Sequence, residues 1–379
     1  MRRALLAFLA LVAASIAPVS ASAVEPAREA PTVPASAWYL VGDDGAVLAQ
    51  QSAHQQRAIA SITKLMTAIV VLEHARLDDV VRVSPRAAVL GEATVELRSG
   101  EELTVDELLR GMLVPSANDA AEALALSVGQ GSIDRFVELM NAKARELGLA
   151  DTHFENPHGL DQAGHVSSAR DATMLVRYAL GVPFLREALG RSTVSLPGGR
   201  TFETTDDLLR SWPPLVGGKT GHTGAAGWSQ AAAAERGGVT VFGTVLGSDS
   251  RSLRNEALQG LLAWGLRQYG RVQLIAPDRV YAEATTGYGR PPVGLVARDP
   301  TVRAVRVGAS LVERVVARAS VDLPVRRGQL LGEVQVWEGD RLVASSGLVA
   351  SEAVSEPGLL GKARWYAEQT ADNLWELVT

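Results

Sequence analysis

Apolar and polar positions follow two different rhythms along the 379 residues. Up to about residue 270 the dominant signal is helical, interrupted by a few apolar strands. Ala37 to Leu40 and Ala46 to Leu48 flank Asp44-Gly45 and predict a hairpin. Ser61 to Ala75 is apolar on most sides (Ile62, Leu65, Met66, Ile69, Val70, Val71, Leu72), which predicts a buried helix. Thr104-Val105-Asp106-Glu107 is a capping box opening a helix through Leu113. Further helices are predicted from Asn118 to Val128 with Gly129 as a stop, from Ser132 to Gly148, from Ser168, and from Arg254 to Arg267. Val216 to Thr220, Trp228 to Ala234 and Val239 to Leu246 predict strands. From about Val272 to Leu348 the pattern changes to short β-like runs: Val280 to Ala284, Val302 to Val307, Val315 to Val321 and Glu333 to Trp337. Glu338-Gly339-Asp340 is a hairpin turn, and a small β sandwich is expected. Gly361 to Thr379 closes the chain as an amphipathic helix. Ala363, Ala367, Ala371, Leu374 and Val378 share one stripe; Arg364, Glu368, Asp372 and Glu376 share another. Trp365 and Trp375 suit either a membrane interface or docking on the protein's own surface.

Composition narrows the classes. The formal net charge is −5, so a basic face for nucleic acid is not expected. There are no cysteines, which excludes disulfides, iron–sulfur sites and thiol nucleophiles. Only four lysines occur, Lys64, Lys143, Lys219 and Lys362, so each is informative. Met1-Arg2-Arg3, the apolar run Ala4 to Ala14 and Ala21-Ser22-Ala23 have the layout of an export signal over residues 1–23. Residues 24–35 read as a linker, 36–270 as the main domain, 271–355 as the β domain and 356–379 as the terminal helix. An exported protein without cysteine is expected outside the cytoplasm of a bacterium, in the periplasm or cell wall.

Three short motifs carry chemistry. In Ser61-Ile62-Thr63-Lys64 a helical spacing of three places an amine beside a hydroxyl. A serine hydroxyl needs an adjacent base to become a nucleophile, and a desolvated lysine near another cation can lose its proton near neutral pH. N–H groups at the helix start suit an oxyanion on the attacked carbonyl. Ser116-Ala117-Asn118 lies between two predicted helices, where Ser116 can shuttle a proton and Asn118 can hold Lys64 or a substrate amide. Lys219-Thr220-Gly221-His222 lies on a strand that can pair with an extended substrate. Lys219 and Thr220 offer a cation and a hydroxyl to a carboxylate, Gly221 permits close approach, and the His222 N–H is a second oxyanion donor. A phosphate loop ending in Gly218-Lys219-Thr220 would need glycine at 213, where Pro213 stands.

Ser-x-x-Lys, Ser-x-Asn and Lys-Thr-Gly, in that order, resemble the penicillin-recognising serine enzymes. The likeness is closer to the low-molecular-mass penicillin-binding proteins, the D-alanyl-D-alanine carboxypeptidases of the penicillin-binding protein 5 type. It is carried by Ala60 to Thr67, Val114 to Ala121, Asn156 to Asp161, Gly164 to Asp171, and Gly217 to Thr223 with Ala225-Ala226-Gly227. The resemblance implies an α+β fold, an antiparallel sheet with helices on both faces, followed by a small all-β domain and a C-terminal helix. It implies that Ser61 forms an acyl-enzyme on peptidoglycan stem peptides and releases the terminal D-alanine, with no cofactor or metal. Lys64 would be the base, Ser116 and Asn118 would assist, and Lys219, Thr220, Gly221 and His222 would line the carboxylate and oxyanion side. Counting back from Trp264 gives Arg254 as the family's carboxylate arginine, with Arg251 as the fallback. β-Lactams would acylate the same serine, and the terminal helix would give peripheral membrane contact.

Other readings have their own discriminators. An endopeptidase acting on cross-linked wall would use the same residues, and so would a catalytically weak wall-binding protein on the same fold. A class A β-lactamase needs a Glu-x-x-Leu-Asn run between Ser116 and Lys219, and none occurs. A metal enzyme built on His153, His158 and His165 is disfavoured, because their spacing fits no helical ligand pair.

Overall fold

The computed structural model describes residues 12–18 and 29–376. Most of the expected leader, residues 1–23, lies outside these, as do residues 377–379 of the expected terminal helix. The chain divides into two compact units, Ala27–Gln268 and a second that begins at Tyr269 and takes in the N-terminal segment.

The larger unit is built on a five-stranded antiparallel sheet. Its strands are β1 (Ala37–Gly42), β2 (Val47–Gln51), β3 (Leu215–Thr223), β4 (Gly227–Arg236) and β5 (Val239–Ser248), in the order β2-β1-β5-β4-β3. Asp44-Gly45 makes the first turn, with Gly45 at φ +82°. Both faces of the sheet are covered, and adjacent residues of β5 show it. Thr244 bonds the Thr173 hydroxyl of one helix at 2.8 Å. Gly243 faces Leu262 of another, and a Cβ there would lie 3.1 Å from Leu262 and 3.2 Å from its cross-strand partner Leu40. Successive strand residues point to opposite faces, so one helix packs on each. The same double cover explains the run Ala231–Ala234, four alanines buried with no exposure at all. Small side chains on both faces let the flanking helices come close.

The helices are α1 (Lys64–His74), α2 (Val105–Leu113), α3 (Asn118–Val128), α4 (Ile133–Glu146), α5 (Ala169–Gly181) and α6 (Arg251–Leu266). Thr104 and Glu107 form both bonds of the capping box that opens α2. Ser132, Ser168 and Ser250 cap α4, α5 and α6 through their hydroxyls. The expected start of α1 at Ser61 is corrected. Ala60–Thr63 is a 3₁₀ turn, closed by Ile62 N–H donating to Ile59 O, and the α-helix begins at Lys64. Ala60 at φ +47° breaks the helical path just before Ser61. α1 then runs through the core with Leu65, Met66, Ala68, Ile69, Val70 and Val71 all essentially inaccessible. This burial explains why its apolar residues show no polar face. Elements not anticipated include the helix Pro183–Leu189, the hairpin Thr193–Leu196 with Arg200–Glu203, the strand pair Val80–Arg82 with Glu102–Thr104, and the short helices Pro85–Ala88 and Leu208–Ser211.

The second unit carries a seven-stranded sheet and a two-stranded ribbon, Tyr269–Ile275 with Thr301–Arg306. Leu330–Glu338 and Arg341–Ala350 are joined at Gly339, as the turn signal suggested. Leu311–Arg318 alternates, with Arg314, Val316 and Arg318 exposed and Leu311, Glu313, Val315 and Ala317 buried. The terminal helix spans Leu359–Glu376. Trp365 rests edge-on against Tyr288, with ring centres 5.5 Å apart, and Arg364 pairs with Glu368 at i+4. No helix of the described residues is long and apolar enough to cross a membrane.

Candidate active site

All three motifs meet at one cleft of about 180 Å³, lined by Ser61, Ser116, Thr220, Gly221, His222 and Arg254, together with Ala93, Thr205, Trp228 and Arg251. Ser61 comes from the 3₁₀ turn before α1, Ser116 from the loop between α2 and α3, and the Lys219 segment from β3. Ser116 is held at φ +71°, an uncommon conformation for a serine, which turns its hydroxyl inward.

Lys64 is fully buried, and its Nζ lies 2.7 Å from Ser61 Oγ. The same nitrogen donates to Asn118 Oδ1 at 2.7 Å and to the His158 carbonyl at 2.8 Å. A neutral amine has two N–H bonds and one lone pair. Two carbonyl acceptors take the two hydrogens, so the lone pair is left facing the Ser61 hydroxyl. Burial pushes the Lys64 pKa well below the usual ammonium range, and the Lys219 cation adds to this against Glu92 and Asp119. Lys219 is also buried and donates to Ser116 Oγ at 2.8 Å and to the Thr220 carbonyl at 3.2 Å. Burial brings its pKa down to about 7, opposed by Asp206 and reinforced by Arg254.

Gly221 is required where it stands. A Cβ there would lie 2.7 Å from Ile59 O and 3.2 Å from the Ser61 nitrogen. The β3 backbone therefore passes directly beside the serine turn, a contact that any side chain would open. His222 stacks on Trp228, with ring centres 4.0 Å apart. Arg254, 2% exposed, directs Nε and Nη2 to Asn255 Oδ1 at 3.1 and 2.5 Å. Arg251 is held by Asp207 through bonds of 2.7 and 2.5 Å. Both arginines therefore line the cleft, with Arg254 the more deeply set.

The family model for D-alanyl-D-alanine carboxypeptidase matches residues 24–250. The chain belongs to the D-alanyl-D-alanine carboxypeptidase family. Among relatives in this family, D-alanyl-D-alanine carboxypeptidase DacD of Salmonella typhimurium is 31% identical over 98% of this chain and 100% of its own. DacD of Escherichia coli is 32% identical over 90% of this chain and 92% of its own. Among solved structures, a serine-to-alanine mutant of the Streptomyces K15 DD-transpeptidase matches with a TM-score of 0.59 and 32% identity, covering 62% of this chain and 99% of that one. Penicillin-binding protein 5 from Haemophilus influenzae matches with a TM-score of 0.64 and 26% identity, covering 87% and 100%.

Several residues of this carboxypeptidase-family cleft escaped the motif reading. The His158 carbonyl is a main-chain group, so no residue type signals it. Ala93 and Thr205 sit in loops without periodicity. Asn118 does more than hold Lys64, since its Nδ2 reaches Gly91 O at 3.3 Å and its N–H donates to Ala93 O at 2.7 Å, fixing the loop opposite. Of the three histidines weighed as metal ligands, His158 and His165 serve the same scaffold. His165 Nδ1 accepts the Glu155 N–H at 3.0 Å, which leaves hydrogen on Nε2 for the Thr63 hydroxyl at 2.7 Å. Among the described residues no cluster of three His, Asp or Glu side chains could hold a metal ion.

Burial lowers the pKa of His165 to about 4, below the value near 6.5 of an unfolded chain. The folded state therefore prefers the neutral ring. That contribution is full above about pH 6.5 and is lost as pH falls toward 4. Thermal melts between pH 7 and 4 are expected to show a falling Tm. His165→Gln should melt lower at pH 7 and with a shallower slope through this window. An unchanged slope would remove His165 from the account.

Proposed function

We propose that this chain is a serine D-Ala-D-Ala carboxypeptidase that trims peptidoglycan stem peptides outside the cytoplasm. The observation that carries the reading is the Lys64 amine, buried, bound to two carbonyl acceptors and 2.7 Å from the Ser61 hydroxyl. Lys64 Nζ takes the proton from Ser61 Oγ as that oxygen attacks the carbonyl carbon of the penultimate D-alanine. The N–H groups of Ser61 and His222 receive the oxyanion. Collapse breaks the C–N bond. Ser116, its hydroxyl held by Lys219, passes its proton to the leaving nitrogen and takes the proton that Lys64 removed from Ser61, which returns Lys64 to the neutral amine. Water then cleaves the ester on Ser61 with Lys64 again as base, which restores the enzyme. Lys219, Thr220 and Arg254 supply the charge and hydroxyl that hold the terminal carboxylate, with Asn118 positioning Lys64 and the substrate amide.

A β-lactam presents a strained amide and a carboxylate to the same groups, and ring opening leaves it esterified to Ser61. The purified chain is therefore expected to release D-alanine from a diacyl-D-Ala-D-Ala peptide and to gain one penicilloyl adduct by intact mass. Ser61→Ala should lose both. A wild-type chain that takes no adduct would overturn the reading and favour a wall-binding protein. The exposed Leu359 and Leu360, at 86% and 89%, fit a peripheral membrane contact of the terminal helix, while Trp365 is engaged with Tyr288.

A further inference from the structure

Lys219 and Arg254 are buried cations on one side of the cleft, at 1% and 2% exposure. Unpaired buried charge is costly, so these two need a counter-charge. Asp206, at 3% exposure, is buried close enough to act on both electrostatically, without a direct ion pair to either. It lies between the strand Arg200–Glu203 and the short helix Leu208–Ser211, and it is fixed on both oxygens. Oδ1 accepts the Leu208 N–H at 3.1 Å, and Oδ2 accepts Gln230 Nε2 at 2.7 Å. Gln230 sits directly across from Thr220 in the β3–β4 register. Thr220 in turn meets the hydroxyl of Thr205, the residue before Asp206, at 2.7 Å. The carboxylate is thereby locked at the Lys-Thr-Gly strand without itself lining the cleft.

The neighbouring Asp207 is already committed. It takes both bonds from Arg251, accepts Asn255 Nδ2 at 3.0 Å and lies 3.6 Å from Arg254 Nη2. With all five groups ionised, Lys219, Arg251 and Arg254 exceed Asp206 and Asp207 by one positive charge, the complement of a single substrate carboxylate. We propose that Asp206 is a positioning residue: the buried counter-ion that keeps Lys219 protonated, and so keeps Ser116 oriented, while the pocket retains one net positive charge for the substrate. The inference rests on the carboxypeptidase reading above. The groups facing Asp206 are Lys219 from β3, Gln230 from β4 and Arg254 from α6, with the Asp207–Arg251 pair beside it. Burial raises the carboxyl's pKa while Gln230, Arg254 and Lys219 lower it, and Asp206 raises that of Lys219. The Lys219 cation also helps to hold Lys64 neutral, so the effect of Asp206 extends to the base.

With four lysines in the chain, ε-¹³C-lysine labelling of the full protein yields a spectrum simple enough to assign, Lys219 being the resonance lost in Lys219→Met. Asp206→Asn is expected to move the Lys219 titration to lower pH by about one unit. The alkaline limb of kcat/KM on a diacyl-D-Ala-D-Ala peptide should move with it, and Asp206→Glu should restore both. A Lys219 titration that Asp206→Asn leaves in place overturns the proposal. If the Asn variant does not fold, the wild-type titration decides. A coupled pair gives the Lys219 resonance a second, acid inflection as Asp206 takes up its proton, and a single inflection overturns the linkage. Failure of the enzyme reading would show separately, as a wild-type chain that takes no penicillin adduct on Ser61.

Discussion

Lys64→Ala is expected to slow acylation of Ser61 by roughly 10³-fold or more, measured as penicillin adduct formation and as D-alanine release. Two effects combine. The Ser61 proton loses its acceptor, and Asn118 Oδ1 and the His158 carbonyl lose the amine that links them. Lys64→Arg separates these effects. A guanidinium can still donate to both carbonyls, but it stays charged at any accessible pH and cannot accept a proton. If the amine acts as the base, the arginine variant is as inactive as the alanine one. If it served only to hold the two walls together, arginine would recover a substantial share of the rate. A Lys64→Arg enzyme with more than about a tenth of the wild-type acylation rate would contradict general-base chemistry at this position.

The second large effect is expected at a residue with no side chain. Gly159 has φ +88°, and a Cβ added there would lie 2.0 Å from the Ala60 carbonyl oxygen, 2.4 Å from its carbon and 2.9 Å from Thr63 Oγ1. Backbone cannot move aside as a flexible side chain can. Gly159→Ala is therefore expected to cost about 3 kcal/mol or more of stability in urea denaturation, combining left-handed strain with a backbone clash. The site should suffer in parallel. The loop Asn156–Asp161 is held by Gly159 N–H donating to Asn156 Oδ1 at 2.7 Å, and it presents the His158 carbonyl to Lys64. A shift of about 1 Å there would misplace the amine and reduce acylation by about 10²-fold. Gly224→Ala is the matched control, since a Cβ at that position meets nothing within 4 Å. Its stability should stay within about 0.5 kcal/mol of wild type. Equal stability of the two variants would refute the packing argument.

Three helices were readable from their starts, because Thr104-Glu107, Ser132 and Ser168 each cap a helix through contacts three residues away. α1 and α3, which carry Lys64 and Asn118, have no side-chain cap and were read from their apolar runs. The Ser250 cap of α6 was not read, and that helix begins at Arg251, not at Arg254. The hairpin at Thr193–Glu203 was not readable. Its strands are four residues each, and the turn Pro197-Gly198-Gly199 reads equally well as an irregular loop. Asp206 and Asp207 were missed for a related reason. Two adjacent carboxylates normally mark a solvated turn, and only the fold buries the first of them beside Lys219.

What the sequence determined by itself is whatever depends on short-range spacing: the turn that puts Lys64 three residues after Ser61, the helix caps, the alternation of the late strands, and the order of three motifs. Tertiary structure alone decided that a main-chain carbonyl at His158 and an amide at Asn118 converge on the Lys64 nitrogen, and that the β3 backbone lies against Ser61 with room only for glycine at 221. It also decided which charges are buried together. The bonds from Lys64 to Asn118 and His158 and from Lys219 to Ser116 join residues 54 to 103 positions apart. Their energetics depend on desolvation, which exists only once the core has closed around them.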